Sequence, residues 1–241
     1  MIQLKSVCKT FNATSRPAIN DVHLNIRPKE FCVMIGANGC GKSTLFRLIN
    51  QEIKPDSGEV NVSGNVYCVK QEVKSGAIAE MTVFENLALA FMKHPKPLNY
   101  QRHRLMIMHL LENLETDLVR YLDHPLASLS GGQQQVIATL MGLYSGSPIV
   151  LLDEHTAALD PHMQSYLMKL TSHAIKQRHL TALMITHQVE DALQYGDRLL
   201  MIKHGKVAFD IRGLQKKALT KKDVMALYHC HTTVKRGVYE L

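Results

Sequence analysis

Gly36-Ala37-Asn38-Gly39-Cys40-Gly41-Lys42-Ser43-Thr44 follows the apolar run Phe31 to Ile35 and leads into Leu45, Leu48 and Ile49, which recur at helical spacing. A strand that stops at a glycine-rich turn and restarts as a helix is the setting in which G-x4-G-K-[ST] forms a phosphate-binding loop. The chemistry explains the residue types. Glycines let successive backbone N–H groups turn inward as an anion-binding concavity, and the helix N-terminus adds partial positive charge. Lys42 brings a full cation, Ser43 offers a hydroxyl to Mg2+, and Thr44 can hydrogen-bond a phosphate. An ordinary glycine-rich turn would not need the lysine or the flanking strand and helix, so nucleotide binding is the expectation.

Working outward, strand and helix patterns alternate on both sides of this loop. Ile2 to Val7 and Val22 to Ile26 alternate as strands, and Glu59 to Val62 with Val66 to Val69 reads as a strand pair after the breaker Pro55-Asp56-Ser57-Gly58. Apolar runs return at Ile149 to Leu152 and Thr181 to Thr186, followed by strands at Arg198 to Lys203 and Lys206 to Asp210. Helical spacing marks Ser43 to Asn50, Val136 to Tyr144, Pro161 to Gln177 and Thr220 to Tyr228. Between them, residues 72–129 carry helical patterns only, at Thr82 to Met92 and Tyr100 to Leu114, separated by His94-Pro95-Lys96-Pro97. This is an α/β chain with a helical lobe.

Composition removes several classes. With 241 residues, 46% hydrophobic and 20% charged, the chain is of ordinary globular make-up, which excludes a disordered, collagenous or coiled-coil protein. The nearest approach to a membrane span, Ile78 to Met92, is broken by Glu80, Glu85 and Asn86. The start, MIQLKSVCKTF, lacks the apolar core of a secretory signal, so a cytoplasmic protein is expected. Five cysteines without C-x-x-C spacing argue for core thiols rather than disulfides or zinc, and the methionines read as gap-filling core residues. A net charge of +7 would suit a polyanion or an anionic membrane surface, but the basic residues are scattered and tryptophan is absent, so no nucleic-acid partner is expected. His229-Cys230-His231 has no second ligand pair at metal-site spacing.

Ile149-Val150-Leu151-Leu152-Asp153-Glu154 ends an apolar strand in two acids. Such a strand delivers its carboxyl end to a ligand crevice. With a phosphate loop upstream, Asp153 is expected to hold Mg2+ and Glu154 to accept a proton from a water attacking the terminal phosphate. Leu129-Ser130-Gly131-Gly132-Gln133 precedes a helix; a serine N-cap with glycines is common at helix starts, but together with the loop the combination is rare.

In this order the motifs resemble the nucleotide-binding subunits of ATP-binding cassette (ABC) transporters over nearly the whole chain. The resemblance implies a P-loop ABC ATPase core with an antiparallel β subdomain at residues 1–71 and 130–241, and an inserted α-helical subdomain at 72–129. It implies ATP and Mg2+ as ligands and a head-to-tail homodimer holding two ATP molecules. In that dimer Ser130, Gly131, Gly132, Gln133 and the D-loop residue Asp160 of Ala158-Leu159-Asp160 would act in trans. Gly36 to Thr44 would bind phosphate, and Phe11 would stack on adenine. Gln71 matches the Q-loop glutamine near Mg2+, joining Ser43 and Asp153, and His187 matches the switch histidine near the terminal phosphate, so that Glu154, His187 and Gln71 are the implied catalytic residues. Implied partners are transmembrane permease subunits and a separate substrate-binding protein, with Met81 to Asn86 resembling the permease-facing segment, so the chain would sit on the inner face of the cell membrane. Asp123 to Ser128 lacks the acidic, glycine-rich stretch of fused exporters, which favours an importer of a small solute. Asp153 to Pro161 with Tyr195 to Leu199 looks similar to subunits tied to aromatic amino acids. A soluble, non-transport ABC ATPase is the alternative; the repair members' coiled-coil insertion and the translation members' second cassette are both missing here. Two departures stand out: His155 replaces the proline usual after the glutamate, and Gln134 stands where a basic residue usually follows the signature.

Overall fold

Five consecutive buried side chains, Phe31–Ile35, can form a strand only where both faces are covered. This strand, β3, lies between two parallel neighbours, β7 (Thr181–Ile185) and β8 (Arg198–Lys203), and β8 turns back antiparallel into β9 (Lys206–Arg212). The structure is a computed structural model, and it describes residues 1–11, 16–70, 76–91, 100–112, 114, 117–157 and 159–229. It divides into two compact units: Met1–Gly64 with the chain from His179 onward, and Asn65–Arg178.

The first unit also holds an antiparallel sheet in the order β2-β1-β4, made of β1 (Ile2–Lys9), β2 (Ile19–Ile26) and β4 (Ser57–Val62). Its strands alternate as a half-covered sheet requires: Ile2, Leu4 and Val7 are buried beside Ile26, Leu24 and Val22, their register partners. Arg198 is almost fully buried, a costly place for a cation unless it is fully paired. Its guanidinium donates to both Asp210 oxygens at 2.6 Å, to the Asn25 carbonyl at 2.7 Å and to Glu30 at 3.3 Å, joining β8, β9 and the end of β2. Three helices follow β-strands here: α1 (Lys42–Ile49), α6 (Val189–Gln194) and α7 (Gly213–Ala218), with α8 (Lys221–His229) after them.

The second unit pairs β5 (Val66–Val69) in parallel with β6 (Ile149–Asp153) and packs α2 (Val83–Phe91), α3 (Tyr100–Glu112), α4 (Gly131–Tyr144) and α5 (Pro161–Gln177). Leu87, Ile107, Leu111, Val136, Ile137 and Leu140 meet in one apolar cluster. Inside this unit Asn86 is fully buried, and its amide is satisfied by the Ile78 N–H and by the Ile78, Met81 and Thr82 carbonyls, which pins the turn before α2.

The expected pairing of Glu59–Val62 with Val66–Val69 is not found: β4 pairs with β1, and β5 pairs with β6. The physical reason is burial. β4 is largely exposed and suits an antiparallel edge, whereas β5 takes the wholly buried run Ile149–Leu152 as its neighbour. Of the cysteines, Cys32 and Cys40 are buried, Cys8 and Cys68 are half-buried, and Cys230 lies outside the described residues. Met34, Met141, Met168, Met184 and Met201 are core residues, while Met106 and Met225 are exposed. Among the described residues no helix is long and apolar enough to cross a membrane.

Candidate functional site

In the first unit the chain leaves β3 at Gly36, where φ is +155° and a Cβ would stand 2.5 Å from the Ile202 carbonyl oxygen. Gly41 is equally obligate: φ is +112° and a Cβ would meet the Ala18 carbonyl oxygen at 2.4 Å. Between them Ala37, Asn38 and Gly39 are exposed, and the loop is braced by Cys40 N–H donating to Ala37 at 3.3 Å and Gly205 N–H donating to Cys40 at 2.9 Å. The first i→i−4 bond of α1 runs from Leu45 N–H to the Gly41 carbonyl at 2.9 Å, so the amides of Lys42, Ser43 and Thr44 have no partner within the helix. Lys42 is buried, and its ammonium donates to the Gly36 and Ala37 carbonyls at 2.7 and 3.0 Å. A cation on a loop that opens a helix whose first amides have no partner within the helix makes an anion cradle, and a phosphate chain fits it; the exposed Ser43 hydroxyl beside it is a hard oxygen of the kind Mg2+ takes. Burial raises the Cys40 thiol despite the neighbouring Lys42 charge, so it is a weak nucleophile.

His187 belongs to the same end of the same sheet. β3 and β7 pair with Met34 opposite Ile185, so Gly36 and His187 each leave two residues beyond a matched position. The Thr186 hydroxyl accepts the Gln188 N–H at 3.0 Å, a turn that leaves His187 exposed. Phe11, half-buried after β1, has the Lys9 ammonium 5.9 Å from its ring centroid, and that ammonium is held by Asp56 at 2.6 Å. Tyr228 of α8 is an addition that sequence reasoning does not reach: its phenol meets the Gly36 backbone, and burial raises its pKa. No motif marks it, because the contact arises from the long excursion of the chain back to this loop.

In the second unit, Asp153 and Glu154 stand half-buried at the end of β6. Glu154 has φ +48°, a left-handed conformation, and its carbonyl accepts the Ala157 N–H at 3.0 Å. The next side chain, His155, is wholly buried, and burial pushes its imidazole down to about 4, which keeps it neutral near pH 7. Ser130 is the N-cap of α4 in a complete capping box: its hydroxyl accepts the Gln133 N–H at 3.3 Å and its own N–H donates to Gln133 Oε1 at 3.0 Å. Gly131, exposed, and Gly132, half-buried, open that helix. Gln134 donates to the Leu129 carbonyl at 2.8 Å, which gives the departure at this position a local structural part. Buried Gln135 donates to the Lys70 carbonyl at 3.4 Å, tying α4 to the stretch that runs into Gln71. Gln71 itself and Ala158 lie outside the described residues. Asp160 is the N-cap of α5, its carboxylate accepting the His162 and Met163 N–H groups at 3.1 and 3.0 Å, with Pro161 in the first turn. A separate cavity of about 510 Å³ between α3, α4 and α5 is lined by Tyr144, His162, Lys169 and His173 and by none of the sequence-predicted site residues. Among the described residues no three His, Cys, Asp or Glu side chains converge as a metal cluster, and His229-Cys230-His231 falls largely outside the described residues.

A family model described as "ABC transporter" matches residues 19–157. The chain belongs to the ABC transporter family. It is 37% identical to a tyrosine transport ATP-binding protein of Clostridioides difficile, over 93% of this chain and 97% of that one. It is 30% identical to a choline transport ATP-binding protein of Bacillus subtilis, over 86% of this chain and 56% of the relative, so it spans a little over half the length of that one. Among solved structures it resembles an ATP-binding cassette in a dimeric, post-hydrolysis state bound to ADP and Pi, with 28% identity and a TM-score of 0.75 over 88% of this chain and 98% of that one. The α/β architecture is that of an ABC ATPase cassette, and the family's reaction, ATP hydrolysis with Mg2+, is this chain's.

Proposed function

We propose that this ABC cassette powers a bacterial importer of a small solute, with amino acids the favoured class, as a homodimer on the inner face of the cell membrane. Its partners are transmembrane permease subunits and a separate substrate-binding protein. The observation that carries the ATPase reading is the loop of residues 36–44, with its two sterically obligate glycines, its buried Lys42 and the uncapped N-terminus of α1. The import reading is supported by the transport names of the relatives and by the absence of an exporter-like stretch at Asp123 to Ser128. Exposed Ile78, Leu89, Leu105 and Met106 on the second unit supply apolar surface for a permease, and residues 72–129 form the helical subdomain of a core made of 1–71 and 130–241.

Within that reading each residue has one task. Lys42 and the amides from Gly39 to Thr44 hold the phosphates, Gly36 to Asn38 shape the loop, and Phe11 stacks on the adenine. Ser43, Asp153 and Gln71 hold Mg2+, which when bound neutralises phosphate charge. Glu154 takes a proton from the attacking water, worth roughly 10²–10⁴-fold in rate. His187 orients the terminal phosphate. Ser130 to Gln133, with Asp160, complete the site of the partner copy, so each nucleotide contributes to closing the dimer. The decisive experiment is Glu154→Gln, measured by nucleotide titration and by steady-state phosphate release. ATP affinity stays within about twofold while hydrolysis falls at least 100-fold, on the order of one general base. Turnover at the unsubstituted rate would overturn the assignment.

A further inference from the structure

His155 is 1% exposed, an unusual address for an imidazole, and it follows directly on Glu154. Its Nε2 lies 3.4 Å from Thr171 Oγ1 on α5, and Thr171 is itself 0% exposed. The helix that supplies Thr171 begins at Asp160, whose carboxylate caps it. His155 and Asp160 are therefore both fastened to this one helix, one by a side-chain bond and the other as its cap. Two tight turns lie between the fastenings, Ala157 N–H to Glu154 at 3.0 Å and Leu159 N–H to Thr156 at 3.1 Å. At the head of this segment Glu154 is left-handed, a backbone state that disfavours a side chain by about 1–2 kcal/mol and persists only where the surroundings enforce it. An apolar ring would be easier to bury than an imidazole, since a buried polar group is tolerated only when hydrogen-bonded. What the imidazole adds is direction: a hydrogen bond ties the side chain to one atom of α5 at a set angle, which non-directional apolar packing does not. The family's usual proline restrains the backbone covalently by locking φ; here a side-chain anchor stands in its place.

We infer that His155 is a positioning residue, whose hydrogen bond to Thr171 clamps the left-handed turn bearing Glu154 onto α5, so that the carboxylate and the Asp160 end of the segment are held as one piece. This rests on Glu154 being the general base. The test is steady-state ATP hydrolysis by the full chain carrying His155→Leu, which keeps bulk but loses the bond, or Thr171→Val, which loses only the hydroxyl. Each lowers kcat about tenfold, the scale of a sub-ångström misplacement of a reacting group, with KM for ATP and the melting temperature near their original values. The double variant is no slower than the slower single one. His155→Gln, whose amide reaches near the Nε2 position, and Thr171→Ser, which keeps the hydroxyl, recover most of the loss. In a Glu154→Gln background His155→Leu removes nothing further. Unchanged kcat in Thr171→Val, or equal losses in His155→Leu and His155→Gln, would overturn the inference, and if the leucine variant fails to fold the Thr171→Val and Thr171→Ser pair decides the same question. Full turnover in Glu154→Gln alone sinks the base assignment, whereas collapse there with neutral Thr171 variants sinks only the clamp.

Discussion

Two helix N-termini in this molecule are expected to meet a phosphate, and they are built in opposite ways. α1 opens on Gly41, which has no side chain to cap with; the Lys42 N–H meets the Cys40 thiol, a weak acceptor, and the Lys42 ammonium sits on the Gly36 and Ala37 carbonyls. α4 opens on Ser130, and a reciprocal pair of bonds with Gln133 satisfies two donors from within. Helix ends seek partners for their unpaired N–H groups. α1 has no side-chain cap of its own and suits a ligand acceptor, whereas α4 already carries an internal cap and leaves only the Gly131 and Gly132 amides to a ligand. That asymmetry fits a cassette that loads nucleotide on its own P-loop first and engages its signature segment only when a second copy brings the phosphate.

Glycine substitutions have the largest and most unequal effects at the two helix ends. Gly41→Ala forces a Cβ to 2.4 Å from the Ala18 oxygen at a φ of +112°, while at Gly131 a Cβ meets nothing within 4 Å. The first substitution costs roughly 3 kcal/mol or more in the loop and weakens nucleotide binding at least 100-fold in a fluorescent-nucleotide titration. The second raises folding stability by up to about 1 kcal/mol in urea melts, because alanine suits a helix better than glycine. Similar losses at both positions would mean that the two ends are built alike. A smaller effect is expected at the cap: Ser130→Ala loses about 1 kcal/mol of stability. In a Glu154→Gln background that traps ATP, the same change weakens dimerisation by more than this in sedimentation experiments. A loss confined to stability would reduce Ser130 to a cap alone.

Much of this is legible in the sequence, and the exceptions have causes. The path from β3 through the loop to α1 can be read because a five-residue buried strand, conformationally demanding glycines and a helical repeat fall in succession. Asp160-Pro161 announces α5 for the same local reason. α6 and α7, six residues each, escape such a reading because so short a helix shows less than two turns of apolar repeat. Their connection is polar besides: buried Lys216 of α7 donates to the Leu193, Tyr195 and Gly196 carbonyls at the end of α6, a lysine C-cap that no hydropathy pattern encodes. The contact of Tyr228 with Gly36 and that of His155 with Thr171 are likewise tertiary, decided by where a helix returns rather than by spacing along the chain.

The smallest effects, at Gln133, differ in sign between the fold and the dimer. Gln133→Ala removes only the acceptor of the Ser130 N–H, an exposed donor that water can satisfy, while the residue 133 N–H still reaches the Ser130 hydroxyl; the loss is about 0.3 kcal/mol. Gln133→Glu keeps both halves of the box and places a negative charge in the first turn, which raises stability by about 0.3–1 kcal/mol through the helix dipole. The same charge faces any phosphate delivered to that end, so ATP-driven dimerisation in the trapped background weakens as the isolated fold strengthens. At α1 there is no box to keep, and acid in its first turn would oppose nucleotide without any dimer being involved. Urea melts and sedimentation on one preparation therefore separate the two roles of the α4 terminus: opposite signs mean a self-satisfied cap that later receives an anion, and a fall in both would mean that the box is not what holds this helix start.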